Sequence, residues 1–350
     1  MQILDENLIG KNIKIYIGSG LDNLINKNIR TKHVNFISNN LITYKRKINN
    51  IESIKIFMDD GEKIKDIEHF GYVLNELISR EIERNSTISY IGGGTLGDLI
   101  GFSASVYKRG VNLCAIPTTM LSQVDSSIGG KNAINYGNVK NIAGTFYNPE
   151  YIFDDIDFLL GSDKLLLKEG LSEIIKMALI KDSKFFDLLM KNDLDSIFNE
   201  KMLEEIIYRG AKIKLDFVRK DFYDVKKLRF NLNFGHSIGH AIESYSGNLI
   251  SHGMAVAGGM MLESYIAYKM GYSPDLYGTI KDSLKKYKID IINIKEYNVD
   301  KLINYIKNDK KMEDGKLNMV MLDDIGKSHV EKIDINEIKK YLKMFNGDVK

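Results

Sequence analysis

Short apolar runs alternate with longer amphipathic stretches up to about residue 160 of the chain. The apolar runs have the length of buried strands. They predict strands at Lys14–Ile17, Val34–Ile37, Ser53–Met58, Ile88–Ile91 and Leu113–Ile116. Between them, apolar residues recur at helical spacing, as in Ile67–Glu83. Strands that alternate with helices predict an α/β domain with a parallel sheet, here at residues 1–161.

The pattern changes after residue 161. Helical spacing dominates from Leu165 to about Tyr305, with little strand-like alternation. Alternation returns near the end of the chain, where Leu317–Leu322 and Ser328–Ile333 predict a hairpin. Residues 162–350 are therefore predicted to form a second, mainly α-helical domain. Two domains are also the default expectation for a chain of 350 residues.

The composition is that of an ordinary soluble globular protein, with 44% hydrophobic and 27% charged residues. The near balance of 49 basic and 47 acidic groups does not favour nucleic-acid binding. Cys114 is the only cysteine, which excludes a disulfide framework and a CxxC metal site. No apolar run approaches the roughly 20 residues that cross a membrane, and the first residues do not resemble a signal peptide. We predict a cytoplasmic protein.

Three of the six histidines fall between Asn231 and His252. His236 and His240 are four residues apart and share one face of a helix, with Glu243 close by. Neutral imidazole is a common metal ligand and titrates near neutral pH. An isolated HxxxH pair is more often polar surface, but three histidines among glycines favour a metal site or an acid–base site.

A glycine-rich turn follows the strand predicted at Ile88–Ile91. Gly92–Asp98, with the sequence GGGTLGD, fits the pattern GxGxxG and precedes a predicted helix at Leu99–Tyr107. Bare backbone amides at a helix N-terminus can bind a pyrophosphate. The acidic residue expected about 20 positions later is missing, since Ala115–Pro117 lies there. Phosphate or dinucleotide contact and a purely structural turn both stay open.

Pro117–Lys131 is unusually rich in small polar residues. A solvated loop is one interpretation, because Ser and Thr are favoured in turns. A long polar loop within a compact α/β domain is more often functional. The cations of Lys108-Arg109 precede this stretch and Lys140-Asn141 follows it, which indicates an anionic substrate.

Glu173 and Lys176 are three residues apart on a helix predicted at Lys168–Ile180. The spacing alone favours an ordinary ion pair between adjacent turns, worth a few tenths of a kcal/mol. On this pattern by itself, neither residue is assigned to a site.

Five segments together resemble the 3-dehydroquinate synthase family. They are GGGTLGDLIGF (Gly92–Phe102), PTTMLSQVDSSIGGK (Pro117–Lys131), GLSEIIK (Gly170–Lys176), LNFGHSIGHAIE (Leu232–Glu243) and HGMAVAGGM (His252–Met260). Their order and spacing match the family from about Asp59 to Lys327. The resemblance implies a Rossmann-like NAD-binding domain followed by a mainly helical domain that holds metal and substrate.

The same resemblance implies a catalytic zinc or cobalt ion held by Glu173, His236 and His252. Two imidazoles and a carboxylate leave positions open for substrate oxygens. The implied NAD contacts are Asp60, Gly61, Glu62, Lys63, Ile64, Lys65, Gly94, Thr95, Leu96, Gly97, Asp98, Thr118, Thr119, Lys131, Lys140, Phe158, Leu159, Leu160 and Gly161.

Substrate and catalytic groups are implied in both domains. They are Asp125, Lys131, Asn141, Lys176, Lys214, Arg229, Asn233 and His240, with either Lys310 or Lys311. Arg109 is expected to reach the site from the second subunit of a homodimer.

The implied substrate, 3-deoxy-D-arabino-heptulosonate 7-phosphate, carries a carboxylate and a phosphate, which explains the many cations. The implied reaction is transient oxidation at C5 by NAD, β-elimination of phosphate, return of the hydride, ring opening and aldol closure to 3-dehydroquinate. Another sugar phosphate cyclase, such as 2-deoxy-scyllo-inosose synthase, is the nearest alternative. Arg229 and Lys214 favour a substrate with a carboxylate. A metal-dependent polyol dehydrogenase is a more distant alternative.

The chain also departs from the family pattern. The usual acidic stretch before the histidines is replaced by Lys220–Arg229, in which Asp224 is the one candidate for the usual glutamate. The early ribose-binding position, often acidic, is Asn39 or Asn40. Met177-Ala178 replaces an aromatic-glycine pair. These changes leave the implied metal ligands intact and affect the details of substrate binding more than the reaction class.

Overall fold

The computed structural model describes residues 1–137, 139–247, 249–289, 297–307, 312–313 and 315–348. The chain divides into two compact units. The first comprises Met1–Asp163 with Phe198–Tyr223, and the second comprises Lys164–Ile197 with Asp224–Lys350. The boundary predicted near residue 161 falls close to the first division. Residues 198–223, however, belong to the first unit and not to the second.

The strands of the first unit form one large sheet and one hairpin. The strands are β1 (Gln2–Leu8), β2 (Lys11–Gly18), β3 (His33–Ser38), β4 (Ile54–Met58), β5 (Thr87–Gly92), β6 (Asn112–Pro117), β7 (Lys131–Tyr136), β8 (Val139–Phe146) and β9 (Tyr151–Asp155). The large sheet has the order β1-β2-β9-β6-β5-β3-β4. Only the edge pair β1–β2 is antiparallel. The five predicted strands are confirmed as β2 to β6.

Helices account for most of the remaining described structure. They are α1 (Asp22–Asn28), α2 (Lys45–Asn50), α3 (Ile67–Ser79), α4 (Gly94–Val106), α5 (Asp157–Leu160), α6 (Lys164–Lys181), α7 (Ser183–Lys191), α8 (Leu194–Ile197), α9 (Glu200–Lys220), α10 (His236–Tyr245), α11 (His252–Lys269), α12 (Tyr277–Lys286), α13 (Val299–Lys307) and α14 (Ile335–Asp348). Among the described residues, none of these helices is both long and apolar enough to span a membrane.

Helix α9 contacts the antiparallel edge of the large sheet. The Gln2 side chain donates a hydrogen bond to Glu205, at 3.3 Å. The terminal amine of Met1 lies 2.7 Å from the Glu204 carboxylate. Apolar residues at helical spacing, including Ile206 and Ile213, give α9 its buried face. The helix is therefore a cover for β1 and β2, although the intervening chain belongs to the other unit.

The second unit has a core of helices with a small antiparallel sheet. That sheet consists of β10 (Met312–Glu313), β11 (Lys316–Asp324) and β12 (Lys327–Asp334). Side chains from α10, α11, α13 and α14 share one apolar cluster with β11. The predicted hairpin is confirmed as β11–β12, and the predicted dominance of helix holds across the described part of residues 165–305.

Strand β9 carries a buried carboxyl group in an apolar setting. Asp154 is 0% exposed, and neither of its carboxyl oxygens has a hydrogen-bond partner among the described residues. Burial raises the pKa of Asp154 well above its ordinary value. The folded protein thus retains a proton that the unfolded chain releases at about pH 4. The contribution of Asp154 to the stability of the folded state therefore falls progressively as pH rises above about 4.

Replacing Asp154 by asparagine is expected to stabilise the protein at about pH 8 and to change little at about pH 4. Each unit by which the folded pKa is raised corresponds to about 1.4 kcal/mol. Thermal unfolding at both pH values measures the difference. Asp157→Asn is the control, because the pKa of Asp157 is shifted in the opposite direction. Burial raises the pKa of Asp157, but its ion pair with Lys47 outweighs burial and holds the pKa low. An equal difference in unfolding temperature between the parent and Asp154→Asn at both pH values would contradict this prediction.

Candidate metal centre and cofactor-binding edge

Glu173, His236 and His252 come together in the second unit from helices α6, α10 and α11. Nε2 of His236 lies 3.6 Å from Oε1 of Glu173, and Nε2 of His252 lies 3.8 Å from the same oxygen. One ligand atom from each residue lies within 4.8 Å of the other two. Ligands at about 2.1 Å from a tetrahedral zinc ion are about 3.4 Å apart. The spacing therefore suits a metal ion.

The far side of each imidazole ring has a partner that orients it. Nδ1 of His236 lies 3.2 Å from the carbonyl oxygen of Phe234, and Nδ1 of His252 lies 3.3 Å from a carboxylate oxygen of Glu243. Such contacts place the proton on Nδ1 and direct Nε2 towards Glu173. Burial lowers the pKa of His252, but Glu243 and Glu173 outweigh it and raise the pKa above its ordinary value. A metal ion would compete with that proton.

The two carboxylate oxygens of Glu173 have different surroundings. Its Oε2 forms an ion pair with Nζ of Lys176, and both side chains are 1% exposed. Its Oε1 is buried and has no hydrogen-bond partner among the described residues. A buried carboxylate oxygen without a donor is costly, and a cation beside it would remove that cost. The residues present therefore fit a divalent metal held by one oxygen and two nitrogens.

Glycines allow α10 and α11, which carry the two histidines, to pack backbone against backbone. A Cβ atom added at Gly259 would lie 1.9 Å from the carbonyl oxygen of Gly235 and 2.8 Å from the amide nitrogen of Gly239. Real Cβ atoms do not approach backbone this closely. The ring centroids of His236 and His252 are consequently only 5.3 Å apart.

Four further predicted substrate residues lie in this unit. Lys176 is buried against Glu173, and Arg229 is 4% exposed in the 3₁₀ segment Leu228–Asn233. Asn233 ends that segment and is half-buried, whereas His240 is exposed.

The His240 ring lies 5.4 Å from that of His236 and 5.8 Å from that of His252, centroid to centroid. Helical spacing alone paired His236 with His240, but the compact set of ligand atoms excludes His240. Lys310 and Lys311 lie outside the described residues.

In the first unit, the predicted NAD segments follow the carboxyl ends of parallel strands. Asp60–Lys65 follows β4, Gly94–Asp98 follows β5, Thr118-Thr119 follows β6, and Phe158–Gly161 follows β9. Parallel strands place these ends at one edge of the sheet, where α/β folds bind dinucleotides. The family resemblance implied these segments as one set, and the topology places all four after strands of the same parallel sheet.

The glycine-rich turn between β5 and α4 has both a structural and a binding property. A Cβ atom on Gly97 would lie 2.8 Å from the Tyr90 ring, so glycine is required for the packing of α4 on β5. The first amides of α4, which begins at Gly94, have no acceptor within the helix and point out of its N-terminus. That arrangement is the one in which a helix binds phosphate.

The side chain of Lys65 contacts residues of both the predicted NAD site and the predicted substrate site. Its Nζ lies 2.6 Å from a carboxylate oxygen of Asp98 and 2.6 Å from the side-chain oxygen of Asn141. Burial raises the pKa of Asp98 to about 6, against the opposing effect of Lys65. Thr95 is held separately, since its hydroxyl donates to Asp60 at 3.0 Å. The predicted NAD residues and the predicted substrate residue Asn141 thus share hydrogen bonds.

The polar stretch Pro117–Lys131 is largely buried. Thr118, Ser122, Gln123 and Ser127 are each at most 5% exposed, so the interpretation as a solvated loop is wrong. A one-turn π-helical segment, Ser122–Ser126, presents Asp125. The Asp125 carboxylate forms an ion pair with Lys214 of α9, which brings two predicted substrate residues together.

The remaining predicted residues are distributed over both buried and exposed positions. Gly61, Glu62, Lys63, Arg109, Lys131, Lys140 and Leu160 are exposed, whereas Ile64, Leu96, Phe158 and Leu159 are buried. Gly161 adjoins Tyr44, whose hydroxyl oxygen would be 2.2 Å from an added Cβ atom. The cations of this set lie at the surface, while the buried apolar residues belong to the core beside the sheet edge.

Sequence reasoning missed one carboxylate near the metal centre. Glu263 is fully buried in α11 and accepts hydrogen bonds from backbone amides at the start of α10. A signal was present, because Glu263 is the only acidic residue in the otherwise small and apolar helix α11.

Solved structures with the same fold include two synthases. The chain resembles 2-deoxy-scyllo-inosose synthase complexed with carbaglucose-6-phosphate, NAD+ and Co2+, with a TM-score of 0.88, 24% identity and coverage of 98% of this chain and 100% of that one. It also resembles 2-epi-5-epi-valiolone synthase from Streptomyces hygroscopicus subsp. jinggangensis 5008, with NAD+ and Zn2+ bound, at a TM-score of 0.87, 23% identity and full coverage of both chains. The chain therefore shares its fold with these two synthases.

Sequence comparison identifies the family. The family model for the 3-dehydroquinate synthase N-terminal domain matches residues 55–168, and the C-terminal model matches residues 170–312. The 3-dehydroquinate synthase of Picrophilus torridus is 46% identical over 310 residues, which cover 89% of each chain. That of Dictyoglomus thermophilum is 38% identical over 356 residues, which cover 99% of each chain. The chain belongs to the 3-dehydroquinate synthase family.

Proposed function

We propose that the protein converts 3-deoxy-D-arabino-heptulosonate 7-phosphate to 3-dehydroquinate and inorganic phosphate. Membership of the family supports this reaction. The observation that carries it is that ligand atoms of Glu173, His236 and His252 are spaced to hold a metal ion. One of these atoms, Oε1 of Glu173, is buried and has no hydrogen-bond donor among the described residues. A carboxylate and two neutral imidazoles form the donor set of a catalytic divalent metal with open positions.

The proposed cofactors are NAD and zinc or cobalt. When bound, NAD would accept the hydride from C5 and later return it, and the metal ion would polarise the C5 oxygen. The C5 ketone acidifies the neighbouring C–H bond, so that loss of this proton expels phosphate by β-elimination. Once C5 is again an alcohol, ring opening with intramolecular aldol closure would complete the product. No net oxidation occurs.

The side chains would bind and orient this substrate, which carries two anionic groups, through successive steps. Lys176 and Arg229 are buried cations of the second unit, and Lys214 is a buried cation of the first. A buried cation binds a carboxylate or phosphate strongly because little water competes for it. His240 is exposed and suited to proton transfer or to contact with the phosphate.

We also propose a homodimer in which Arg109 is offered to the site of the second subunit. Arg109 is exposed, and its positive φ of 62° places it in a tight turn after α4. Its guanidinium suits bidentate binding of a phosphate or carboxylate. The cytoplasmic location inferred from the sequence stays a prediction.

The test is an assay of phosphate release with NAD and zinc present. The protein is expected to release stoichiometric phosphate from the heptulosonate phosphate while absorbance at the NADH band stays flat after the first turnover. Steady accumulation of NADH would instead indicate a polyol dehydrogenase.

A second sugar phosphate as substrate separates this function from the nearest alternative. The fold similarity to 2-deoxy-scyllo-inosose synthase makes another cyclase the second candidate. Glucose 6-phosphate lacks the carboxylate and is expected to release little phosphate. Faster phosphate release from glucose 6-phosphate than from the heptulosonate phosphate would reject the proposed substrate.

A further inference from the structure

Helix α11 contains a single acidic residue, Glu263, in a setting that would otherwise be apolar. Glu263 is 0% exposed, and its neighbours Leu262 and Ser264 are also buried. A buried charge is costly unless several donors surround it. Its position therefore requires an explanation in terms of what the carboxylate binds.

The carboxylate accepts three hydrogen bonds from the first turn of α10. The amide of Gly235 donates to Oε2 at 2.8 Å. The amides of Ser237 and Ile238 donate to Oε1 at 3.1 and 3.2 Å. These donors belong to the N-terminal turn of α10, which lacks acceptors within the helix and carries a partial positive charge. A side chain from a neighbouring helix thus takes the place of an N-cap, since Gly235 has no side chain that can cap.

His236 lies between the residues that Glu263 holds. Gly235 precedes it and Ser237 follows it, so the backbone on both sides of His236 is fixed to one carboxylate. Glu263 is eleven residues beyond His252 on α11, which is about three helical turns and puts both on the same face. One face of α11 therefore supplies a proposed metal ligand and holds the helix that supplies another.

We propose that Glu263 is a positioning residue of the metal centre: it fixes the first turn of α10 and thereby the direction in which His236 presents Nε2. The proposal rests on the metal site of the proposed function. It assigns Glu263 no contact with metal or substrate.

The charge and the length of the side chain both matter. A glutamine at this position would keep one acceptor oxygen, but its NH₂ group would face an N–H donor, which leaves a buried donor unsatisfied. An aspartate would keep the charge but be one methylene shorter than the glutamate that reaches the three amides. Both changes loosen residues 235–238, and the larger effect is expected from Glu263→Gln.

The experiment measures zinc affinity by competition with a chromogenic chelator, together with amide hydrogen exchange of the peptide containing residues 235–238. Glu263→Gln is expected to raise the apparent zinc Kd by about tenfold or more, since partners that orient metal ligands typically matter by 10–100-fold. Without metal, amide hydrogen exchange of this peptide is expected to be faster in Glu263→Gln than in the parent protein. If Glu263→Gln does not fold, Glu263→Asp is measured and is expected to show the same changes on a smaller scale.

Leu342→Ala is the control for general destabilisation of this unit. Leu342 is 1% exposed on α14 and belongs to the same apolar cluster as α11, so its truncation loosens the core without altering the Glu263 contacts. Its zinc Kd is expected to equal that of the parent protein. A parent-like zinc Kd in the Glu263 variants overturns the proposal, as does equal weakening in Leu342→Ala.

His236→Ala separates the failure of this proposal from failure of the proposed function. Zinc binding by the parent that is lost in His236→Ala supports the metal site itself. A parent protein that does not bind zinc overturns both proposals. A parent that binds zinc, with Glu263 variants that bind it equally well, overturns the positioning role alone.

Discussion

Replacing His252 by alanine is expected to lower the rate of phosphate release from the heptulosonate phosphate by about 10³-fold or more. A catalytic metal ion lowers the activation barrier by several kcal/mol, and each 1.36 kcal/mol is tenfold in rate. His252 supplies one of three ligand atoms that lie within 4.8 Å of one another. Its loss leaves Glu173 and His236, which are too few donors to hold zinc tightly. Zinc content after dialysis and the rate of phosphate release measure the two effects.

His329→Ala is the matched control for this substitution. His329 lies in the same unit, and its Nδ1 is 2.8 Å from an Asp323 carboxylate oxygen, so it is also a histidine beside acidic groups. It is not part of the compact set of ligand atoms. We expect its replacement to leave zinc content and the rate unchanged. Phosphate release that survives both chelation and His252→Ala would falsify the metal assignment.

Replacing Lys214 by methionine is expected to lower kcat/KM for the heptulosonate phosphate by roughly 10²- to 10³-fold. Lys214 is 7% exposed and forms an ion pair with Asp125. Removing one member of a buried, hydrogen-bonded charge pair costs about 2–5 kcal/mol, and every 1.4 kcal/mol is tenfold. Methionine retains the length and the apolar stem of lysine, so the change is mainly one of charge. Steady-state kinetics measure the loss.

Lys212→Met provides the comparison on the same helix. Lys212 is exposed, and its Nζ lies 6.0 Å from the centre of the Tyr208 ring. Such a contact at the surface is worth little, so kcat/KM is expected to change by less than about threefold. Lys214→Arg keeps the charge but not the compact ammonium group, and an intermediate loss is expected. Equal kcat/KM values for Lys214→Met and Lys212→Met would remove Lys214 from the substrate site.

Most of the large sheet could be predicted from the sequence, because its central strands are buried on both faces. Every residue of β3 and β5 is buried, and continuous apolar or small runs identify such strands. The inner strand β9 was not predicted although it is buried, because two acidic residues interrupt its short apolar run. The edge strand β1 and the hairpin β7–β8 escaped prediction because they are more exposed. β1 mixes exposed acidic residues with apolar ones, and β8 is mostly exposed. Strands of that kind depend on their partners rather than on their own pattern.

Only part of the candidate site could be predicted from the sequence. Local motifs identified the residues of the glycine-rich turn and the histidines, and the resemblance to the family linked His236 and His252 with Glu173. The pairing of Lys214 with Asp125 and the role of Glu263 could not be read from spacing, because both join residues far apart in the chain. An ion pair over such a distance leaves no periodic signal. The structure was needed to bring these residues together.

The assignment of α9 to the first unit affects the order in which the protein forms during synthesis. The last strand of the large sheet ends at Asp155, but the helix that covers β1 and β2 ends only at Lys220. At about 5–20 residues per second, the ribosome needs roughly 3 to 13 s to make the intervening chain. During that interval the edge formed by β1 and β2 lacks its cover while α6 to α8 of the other unit emerge. The first unit is therefore the first to begin folding, but it cannot finish until part of the second has been made.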